Sequence, residues 1–488
     1  MAEDKELKRG LTLPMAIFII IGMVIGSSIW ISPAAYLSRT GPAIFIAYLL
    51  AVIPGIFVAY CCAYIGSAIP VGGGSYMVSS RLMGKFVGFM VVWMIILAVC
   101  AALAFLAATF ALFMAEIFMI PEESRLFFVV GVGIIILITF FLLNMLHVEI
   151  SGLVEMIITI FGDILVMIIF LIVAAPHFNA NNLNPIFPLG VSPVLFAALV
   201  FFFSYTGFTL ILDVAGEVKN PQKNIPRALL VSIPILVILY FLQALMVAGI
   251  HPYNKPVGTV TEIILQEGIL PAGFVVIITI LIAVAIASTL HPLYLAFSRD
   301  FLMAGRDELF PKKFAEIHPK YRTPITGLIL LLIVGIIFLI TFIPLFGPQF
   351  GIATTAVLLS AVTAVVVLIL QIPLCIAAIR LHTKFPELHE KSGFKPSIRA
   401  IKIMSILGVI SSAVFVLLLF TDPDAGLIIS LIVFPYAGIG IIIYFIRKAI
   451  LKKKGIDLGE VVKRWPKQIA FEETPPSKLE RLAHEKAE

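Results

Sequence analysis

Long runs of apolar residues, separated by short polar stretches, fill most of this chain. Because about 20 residues of α-helix cross the hydrocarbon core of a bilayer, each run predicts one membrane span. The composition agrees, since 61% of the 488 residues are hydrophobic and only 13% are charged. The pattern therefore predicts an all-α membrane protein with twelve spans, at residues 14–38, 43–67, 86–119, 126–146, 151–175, 193–216, 227–249, 271–304, 325–344, 351–380, 403–421 and 426–448.

Lysine and arginine divide unequally between the loops on the two sides of these spans. Segments on the side of the N-terminus hold 31 of the 34 Lys and Arg residues, and only Arg39, Arg125 and Lys255 fall on the other side. Cytoplasmic loops of membrane proteins carry such an excess of positive charge. We therefore expect a multi-pass protein of the cell membrane with both termini in the cytoplasm. The net charge of +6 reflects this bias and does not indicate a nucleic-acid partner.

The chain ends and the cysteines add little chemistry. Residues 1–13 predict a short cytosolic tail without a cleavable signal peptide. Residues 449–488 predict a charged cytosolic tail, whose Lys452–Lys454 run would lie against anionic lipid headgroups. All cysteines lie within spans, which predicts buried thiols and neither disulfides nor a metal site. They are Cys61, Cys62, Cys100 and Cys375.

Two long loops lie on the side opposite the termini, at residues 176–192 and 251–273. The first is rich in Asn and Pro and has no acidic residue, Lys or Arg. The second contains Thr261–Leu265, whose pattern predicts a short amphipathic helix. Either loop could cover a vestibule or simply connect two spans.

Small and polar residues interrupt the first and the sixth apolar runs, at Gly22–Ser28 and at Ser204–Phe208. Because a bilayer core offers no water to free backbone groups, a helix loosens there only where it lines a cavity or is buried in protein. Two such interruptions, five spans apart, predict a transporter with a substrate site near the middle of the membrane. The alternative is close helix packing, because Gly22 and Gly26 also fit the Gly-xxx-Gly pattern.

The ends of a broken helix favour a particular kind of solute. Free N–H groups carry partial positive charge and suit a carboxylate, whereas free C=O groups suit a cation. A zwitterionic amino acid carries both charges within a few atoms, so it matches both ends at once.

Four groups of residues together resemble the amino acid–polyamine–organocation superfamily, and as an ordered set they cover roughly the first 330 residues. The resemblance implies the fold of the leucine transporter. In that fold, residues 14–175 and 193–380 form two inverted five-helix repeats, and residues 403–448 add two helices. It also implies amino acid transport by alternating access. The groups are Ile21–Pro33, Pro70–Tyr76, Phe202–Phe208 with Ala215–Pro221, and Ser298–Arg299 with Leu309–Lys313 and Thr323–Pro324.

The same resemblance implies which residues bind the substrate. The carboxylate would meet the backbone of Gly26, Ser27 and Ser28, and the amino group would meet carbonyl groups of the first and sixth spans. Phe203 falls where the superfamily places an aromatic gate, although a ring that faces lipid or the core is the alternative. Gly207 would let the solute approach the backbone. The rest of the implied site is Gly22, Met23, Ile25, Ser204 and Tyr205.

Two positions depart from the pattern of the superfamily. Ser28 stands where a third glycine is usual, which narrows the pocket floor or adds a hydroxyl. Thr209 stands where some members carry Asp or Glu, and this removes a partner for a cationic side chain. Together with the run Phe201–Phe203, these departures favour a neutral substrate with an apolar or aromatic side chain.

Sodium is the first candidate for the coupling ion. Some proton-linked members of the superfamily carry a Lys in the fifth span, where this chain has Gly162. In sodium-coupled relatives of the fold, hydroxyls of the eighth span join carbonyls of the first broken helix, and such hard oxygen ligands suit a small cation. The alternative is that these hydroxyls bond carbonyls of their own helix. The matching residues are Gly22, Ile25, Ala285, Ser288 and Thr289.

A proton is the second candidate, carried by Asp163 in the middle of the fifth span. A charged carboxylate is costly there, so Asp163 either carries a proton or is a protonated structural group. His291 in the eighth span also titrates in the physiological range, with helix–helix hydrogen bonding as its alternative role. Glu155 and Asp213 lie nearer the cytoplasmic side and would pair with loop cations.

Sodium coupling, proton coupling and uncoupled exchange therefore all stay open, with the hydroxyl set favouring sodium. A non-transporting amino acid sensor on the same fold is a further alternative, but sensors typically carry a large cytosolic domain and this tail is short. An enzyme is not expected, because the histidines are scattered and no paired carboxylates or HExxH spacing occur. The expected partners are an amino acid, sodium or a proton, and the lipid bilayer, with no cofactor.

Overall fold

The structure is a computed structural model that describes residues 11–70, 74–146, 152–212, 215, 218–321, 323–455 and 458. Several predicted features lie outside these residues: most of the N-terminal tail, Asp213, and the C-terminal tail from residue 459 onward. The side chain of Glu155 also lies outside the described part, as do the motif residues 71–73 and 216–217.

Twelve helices of the described residues are long and apolar enough to cross a membrane, which confirms the predicted number of spans. The spans are Leu13–Thr40, Ile44–Ala68, Lys85–Ile117, Glu122–Met145, Met156–His177, Ser192–Leu212, Pro221–Ile250, Ala272–Arg306, Ile325–Phe350, Ile352–Lys384, Ile398–Thr421 and Pro423–Lys453.

The α-helices are numbered in chain order. A π-helix, Thr159–Ile164, joins α7 to α8, and a 3₁₀ helix, Phe202–Leu212, follows α9. The α-helices are α1 Leu13–Ile25, α2 Ser28–Thr40, α3 Ile44–Ala68, α4 Gly74–Met83, α5 Lys85–Ile117, α6 Glu122–Met145, α7 Gly152–Ile158, α8 Leu165–Ala174, α9 Ser192–Phe201, α10 Pro221–Ile250, α11 Val260–Gln266, α12 Ala272–Arg306, α13 Ile325–Phe350, α14 Ile352–Lys384, α15 Pro386–Lys391, α16 Ile398–Leu417 and α17 Pro423–Lys453.

The spans run alternately between two faces of the molecule. We call the side on which α1 begins the near face, and the side on which α2 ends the far face. α4 and α15 lie at the near face, and α11 lies at the far face. The two inverted repeats stay a prediction. α16 and α17 follow as the two further helices, and α17 continues through Lys453, past the predicted end of the last span at residue 448.

α5 is the central helix of the bundle. Of its most apolar window 89% is buried inside the protein, compared with 22% for α6 and for α17. It packs against α12, α13 and α14. A helix that is apolar all round and enclosed by others forms a core, whereas α6 and α17 leave most of their surface to the lipid.

The first span is interrupted at Gly26 and Ser27, a shorter break than the predicted Gly22–Ser28. α1 stays helical through Ile25, Gly26 takes a φ of 42°, and α2 begins at Ser28. A positive φ is strained for a residue with a Cβ but not for glycine. Even a short break is sufficient, because the last carbonyls of α1 and the first N–H groups of α2 lose their helical partners regardless of its length.

The sixth span has no gap at the predicted interruption Ser204–Phe208. It changes instead into the 3₁₀ helix Phe202–Leu212, although 3₁₀ runs longer than three or four residues are uncommon. The hydroxyls of Thr206 and Thr209 each donate to the carbonyl three residues earlier, at 2.8 Å and 3.2 Å. These bonds fit the tighter winding of a 3₁₀ helix. In such a helix the backbone groups still form hydrogen bonds, but with residues three positions away instead of four.

The predicted short helix of the 251–273 loop is present as α11. The Oγ1 of Thr259 accepts the N–H of Glu262 at 3.1 Å, and the Glu262 carboxylate accepts the N–H of Gly258 at 2.8 Å. This reciprocal capping starts the helix. The hydroxyls of Thr259 and Thr261 also donate to the carboxylate of Glu116 at 2.6 Å each, which ties α11 to the far end of α5.

A buried ion pair holds α4 at the near face. Arg81 of α4 pairs with Asp307, which directly follows α12, and the two side chains are only 3% and 9% exposed. The hydroxyl of Tyr76 donates to the same carboxylate at 2.5 Å. α4 is thereby tied to the end of the eighth span.

Candidate functional site

The break leaves backbone groups of both polarities near the middle of the first span. The last carbonyls of α1 and the first N–H groups of α2 have no partners of the regular helical kind. The carbonyl of Val24 accepts a hydrogen bond from the Tyr240 hydroxyl at 2.9 Å, and the N–H of Trp30 donates to Ser27 at 3.1 Å. The remaining groups form the polar part of the site.

Gly207 brings the sixth span directly onto this break. A Cβ at Gly207 would lie 2.5 Å from the carbonyl oxygen of Met23 and 3.0 Å from the side chain of Val24. Any residue other than glycine would therefore push the 3₁₀ segment away from the end of α1. The close approach places the two altered spans side by side.

A cavity of about 80 Å³ lies beside the break. This is room for more than a single water molecule. We call it the central cavity, and its walls come from the first, third, sixth, eighth and tenth spans. It is lined by Met23, Val24, Ile25, Gly26, Ser27, Ala98, Val99, Ala102, Leu106, Phe203, Thr206, Gly207, Thr209, Leu210, Thr289, Leu293, Phe297, Thr363 and Val367.

The structure divides the ten implied substrate-binding residues into two groups. Six of them line the central cavity: Met23, Ile25, Gly26, Ser27, Phe203 and Gly207. The other four are not among its described lining residues: Gly22, Ser28, Ser204 and Tyr205.

These four residues instead make contacts between spans. Gly22 packs on Thr159, whose hydroxyl occupies the space that a Cβ at Gly22 would need. The Ser28 hydroxyl lies 2.6 Å from that of Ser204, which links the first and sixth spans. The Tyr205 hydroxyl donates to the carbonyl of Tyr48 at 3.2 Å. The Gly-xxx-Gly alternative thus describes Gly22, whereas Gly26 is the point at which the helix breaks.

Most of the cavity residues that sequence reasoning missed belong to α5, α12 and α14. Their apolar members carry no motif, and most neighbouring positions in these spans are also apolar. Thr363 could have been noticed as a hydroxyl in the tenth span, and its Oγ1 donates to the carbonyl of Ala98 at 2.8 Å.

The walls of the central cavity are mainly apolar. No Asp, Glu, Lys or Arg occurs among its described lining residues. Phe203 lines the cavity and meets the ring of Phe105 edge-on, with 5.1 Å between the ring centroids. Polar contacts are therefore limited to backbone groups and to the hydroxyls of Ser and Thr.

The sodium candidates of the eighth span bond a carbonyl group of their own helix. The hydroxyls of Ser288 and Thr289 donate to the carbonyl of Ala285 at 2.8 Å and 3.1 Å. This is the bonding that the alternative interpretation predicts. Each hydroxyl oxygen still keeps lone pairs for another donor or a cation. Thr289 also lines the central cavity opposite Gly26.

Asp163 lies in the π-helical segment of the fifth span. It is buried, and its Oδ1 has no hydrogen-bond partner among the described residues. Single π-turns inside membrane helices are often found at functional sites. Gly162 packs against Ala285 of α12, so the fifth span approaches the sodium candidates closely. The Nδ1 of buried His291 likewise lacks a partner within the described part.

A comparison with protein families shows what kind of protein has this site. The family model described as amino acid permease matches residues 11–446. The chain belongs to the amino acid permease family. This agrees with the resemblance seen in the sequence motifs and with the twelve candidate spans.

Three relatives illustrate the range of this permease family. A methylthioribose transporter of Bacillus subtilis is 26% identical over 480 residues, covering 91% of this chain and 94% of the relative. A branched-chain amino acid permease of Lactococcus lactis is 26% identical over 431 residues, covering 83% and 90%. A serine/threonine exchanger of Bacillus subtilis is 28% identical over 334 residues, covering 66% and 74%.

Proposed function

We propose that the protein is a secondary transporter of neutral amino acids that works by alternating access. The observation that carries this proposal is the central cavity beside the break at Gly26 and Ser27. Helix ends of both polarities meet there, and no charged side chain occurs among the described lining residues. A zwitterion with no net charge matches such a site.

We propose that the transporter prefers amino acids with an apolar or aromatic side chain. Leu106, Leu293, Phe297 and Val367 supply apolar wall, and Phe203 adds an aromatic ring. Burying an apolar side chain against these residues favours binding through the hydrophobic effect. A relative named as a branched-chain amino acid permease agrees with this preference. Leucine and phenylalanine are therefore the first substrates to test.

Sodium is the proposed coupling ion. Its site would combine carbonyl oxygens at the end of α1, near Gly22 and Ile25, with Ala285, Ser288 and Thr289 of α12. Carbonyl and hydroxyl oxygens are the ligands that a hard cation prefers. Because the helix end frees carbonyl groups, they are available without unfolding α1 further.

Two alternatives to sodium coupling, proton coupling and uncoupled exchange, each have a supporting observation. Asp163 in the π-helical segment supports proton coupling, because its Oδ1 is buried without a partner among the described residues. Uncoupled exchange is supported by the relative named as a serine/threonine exchanger. The near face, which holds most Lys and Arg residues, is the proposed cytoplasmic side.

The test is uptake of labelled leucine by the purified full-length protein in proteoliposomes, with imposed sodium or pH gradients. We expect concentrative uptake driven by sodium, and its loss in a Ser288→Ala, Thr289→Ala double variant. Asp163→Asn should keep sodium-driven uptake. Unlabelled phenylalanine should compete, whereas arginine should not. Methylthioribose is included as a competitor because it has no carboxylate.

Each other outcome points to a different mode. Uptake driven by a pH gradient without sodium, and lost in Asp163→Asn, would establish proton coupling. Counterflow that needs internal amino acid and ignores both gradients would establish exchange. Binding of leucine without any flux would indicate the sensor. Competition by methylthioribose but by no amino acid would overturn the substrate class.

A further inference from the structure

A second cavity continues from the central cavity toward the near face. It measures about 70 Å³ and shares part of its wall with the central cavity, including Ala98, Thr209 and Phe297. Its own lining adds Ser75 and Ser79 of α4. We call it the near-face cavity, and it lies on the path that a solute would take from the central cavity to the near face.

Gln371 of α14 gives this cavity an unused hydrogen-bond donor. Its side chain lines the near-face cavity and is only 2% exposed. The Nε2 group has no partner among the described residues, whereas the Oε1 at the other end of the amide lies 3.5 Å from the Ser412 hydroxyl of α16. A buried amide donor without a partner costs free energy, so such groups are rare unless something binds them.

We infer that the near-face cavity is a second binding site on the release path, where the Gln371 amide donates to the carboxylate of the departing amino acid. This inference rests on the proposed function. The carboxylate leaves the N–H groups of the broken helix and must pass apolar wall such as Leu210 and Val367. A hydrogen bond to a charged group is stronger than one between neutral groups. Gln371 thus lowers the barrier to release.

Gln371 lines the near-face cavity and lies outside the central cavity, so its role can be tested separately. Gln371 is absent from the lining of the central cavity, whereas Thr209 and Phe297 belong to both cavities. Loss of the amide should therefore slow passage without weakening binding at the break. A residue that supports only the fold would instead affect binding, transport and thermal stability together.

The experiment compares equilibrium binding of leucine to detergent-solubilised protein with the rate of leucine transport in proteoliposomes. In Gln371→Leu we expect the transport rate to fall about tenfold, as for loss of one charge-assisted hydrogen bond, with the Kd changed less than about twofold. Gln371→Asn keeps an amide on a shorter side chain, so its transport rate should lie between those of Gln371→Leu and the wild type. Gln266→Leu makes the same chemical change at an exposed position of α11 and should match the wild type.

The experiment distinguishes failure of the proposed function from failure of the second binding site. A wild type that transports neither leucine nor any other neutral amino acid overturns the proposed function before any variant is compared. A transporting wild type with an unchanged Gln371→Leu rate overturns only the second site. A parallel loss of binding, rate and melting temperature shows that Gln371 supports the fold, and this also overturns the second site. If Gln371→Leu does not fold, Gln371→Met, of similar length and without a donor, replaces it.

Discussion

Ser28 shows what a single side chain does at the junction of the two altered spans. Its hydroxyl lies 2.6 Å from that of Ser204 and 3.1 Å from that of Ser32, and all three residues are buried. In an apolar interior, a hydroxyl needs such partners. The serine at the usual position of a third glycine therefore directs its hydroxyl into a contact between helices and away from the central cavity.

Gly207→Ala should disrupt the site through a single added methyl group. The new Cβ would lie 2.5 Å from the Met23 carbonyl oxygen, so the 3₁₀ segment must move away from the break. We expect a destabilisation of about 1–3 kcal/mol, typical of overpacking, and at least a tenfold loss of leucine transport. Thermal unfolding in detergent and proteoliposome uptake measure the two effects.

Gly131→Ala is the matched control for this substitution. Gly131 lies on an exposed part of α6, and a Cβ there would meet nothing within 4 Å. Alanine should leave transport unchanged and slightly favour the helix. Equal behaviour of the two alanine variants would contradict the assigned contact between Gly207 and Met23.

The sixth span shows how an entire element changes its character at the site. Its first part is the α-helix α9, and its second part is the 3₁₀ helix Phe202–Leu212. A 3₁₀ helix rises about 2.0 Å per residue, compared with 1.5 Å for an α-helix, so the second part is narrower and longer for its number of residues. The narrow segment leaves room for Met23 and for the central cavity.

α4 should depend on the ion pair between Arg81 and Asp307. Removal of one partner leaves a buried, uncompensated charge, so Arg81→Met should cost about 3–5 kcal/mol and lower the melting temperature. Combining Arg81→Met with Asp307→Leu should restore part of the loss, because no lone charge then stays buried. Thermal unfolding of both single variants and the double variant measures the coupling.

The exposed pair of Lys395 and Glu390 is the control for this measurement. Its atoms lie 3.0 Å apart, but its side chains are 45% and 72% exposed. Such surface pairs contribute little, so Glu390→Gln should leave the melting temperature nearly unchanged. If Arg81→Met were equally harmless, α4 would not be anchored by the buried pair.

At the scale of the whole molecule, segments at both faces connect spans that are distant in sequence. At the far face α11 is bonded to α5 through Glu116. At the near face the Ser67 hydroxyl donates to the carbonyl of Gln222 at 2.6 Å and accepts the N–H groups of Gly393 and Phe394 at 3.1 Å each. The 385–397 connector is thereby tied to α3 and α10.

The 385–397 connector should loosen in acid. His389 of this connector lies 2.9 Å from the Tyr64 hydroxyl and against the ring of His382. Burial, and then the nearby His382, lower the pKa of His389 below its ordinary value of 6.5, although Glu390 opposes the shift. The folded state therefore binds fewer protons than the unfolded state, and its stability falls as the pH decreases below about 6.5.

Melting temperatures of the wild type and of His389→Gln, measured between pH 8 and pH 5, test this dependence. The decrease at acid pH should be smaller in His389→Gln. The exposed His177 of the 176–192 loop serves as the control, and His177→Gln should keep the dependence of the wild type. An unchanged dependence in His389→Gln would show that other groups cause any acid sensitivity.

The amino-acid sequence by itself determined the number and order of the spans. It also predicted α11 and the interruption of the first span. These features follow from local chemistry: a bilayer requires long apolar helices, Thr259 and Glu262 cap α11, and Gly26 tolerates a positive φ. The family motifs added six of the residues that now line the central cavity.

Only the tertiary structure decided which apolar faces meet and what each small residue does there. α5 and α6 each contain a long apolar window, with mean hydropathy of 2.8 and 3.1, yet 89% of the first window and only 22% of the second is buried inside the protein. Gly22 and Gly26 are the same residue four positions apart, yet Gly22 packs on Thr159 and Gly26 ends a helix. The reason is that lipid and protein interior are equally apolar, so hydrophobicity alone does not distinguish them within a span. Buried donors such as Gln371 acquire a meaning only once the neighbouring helices are in place.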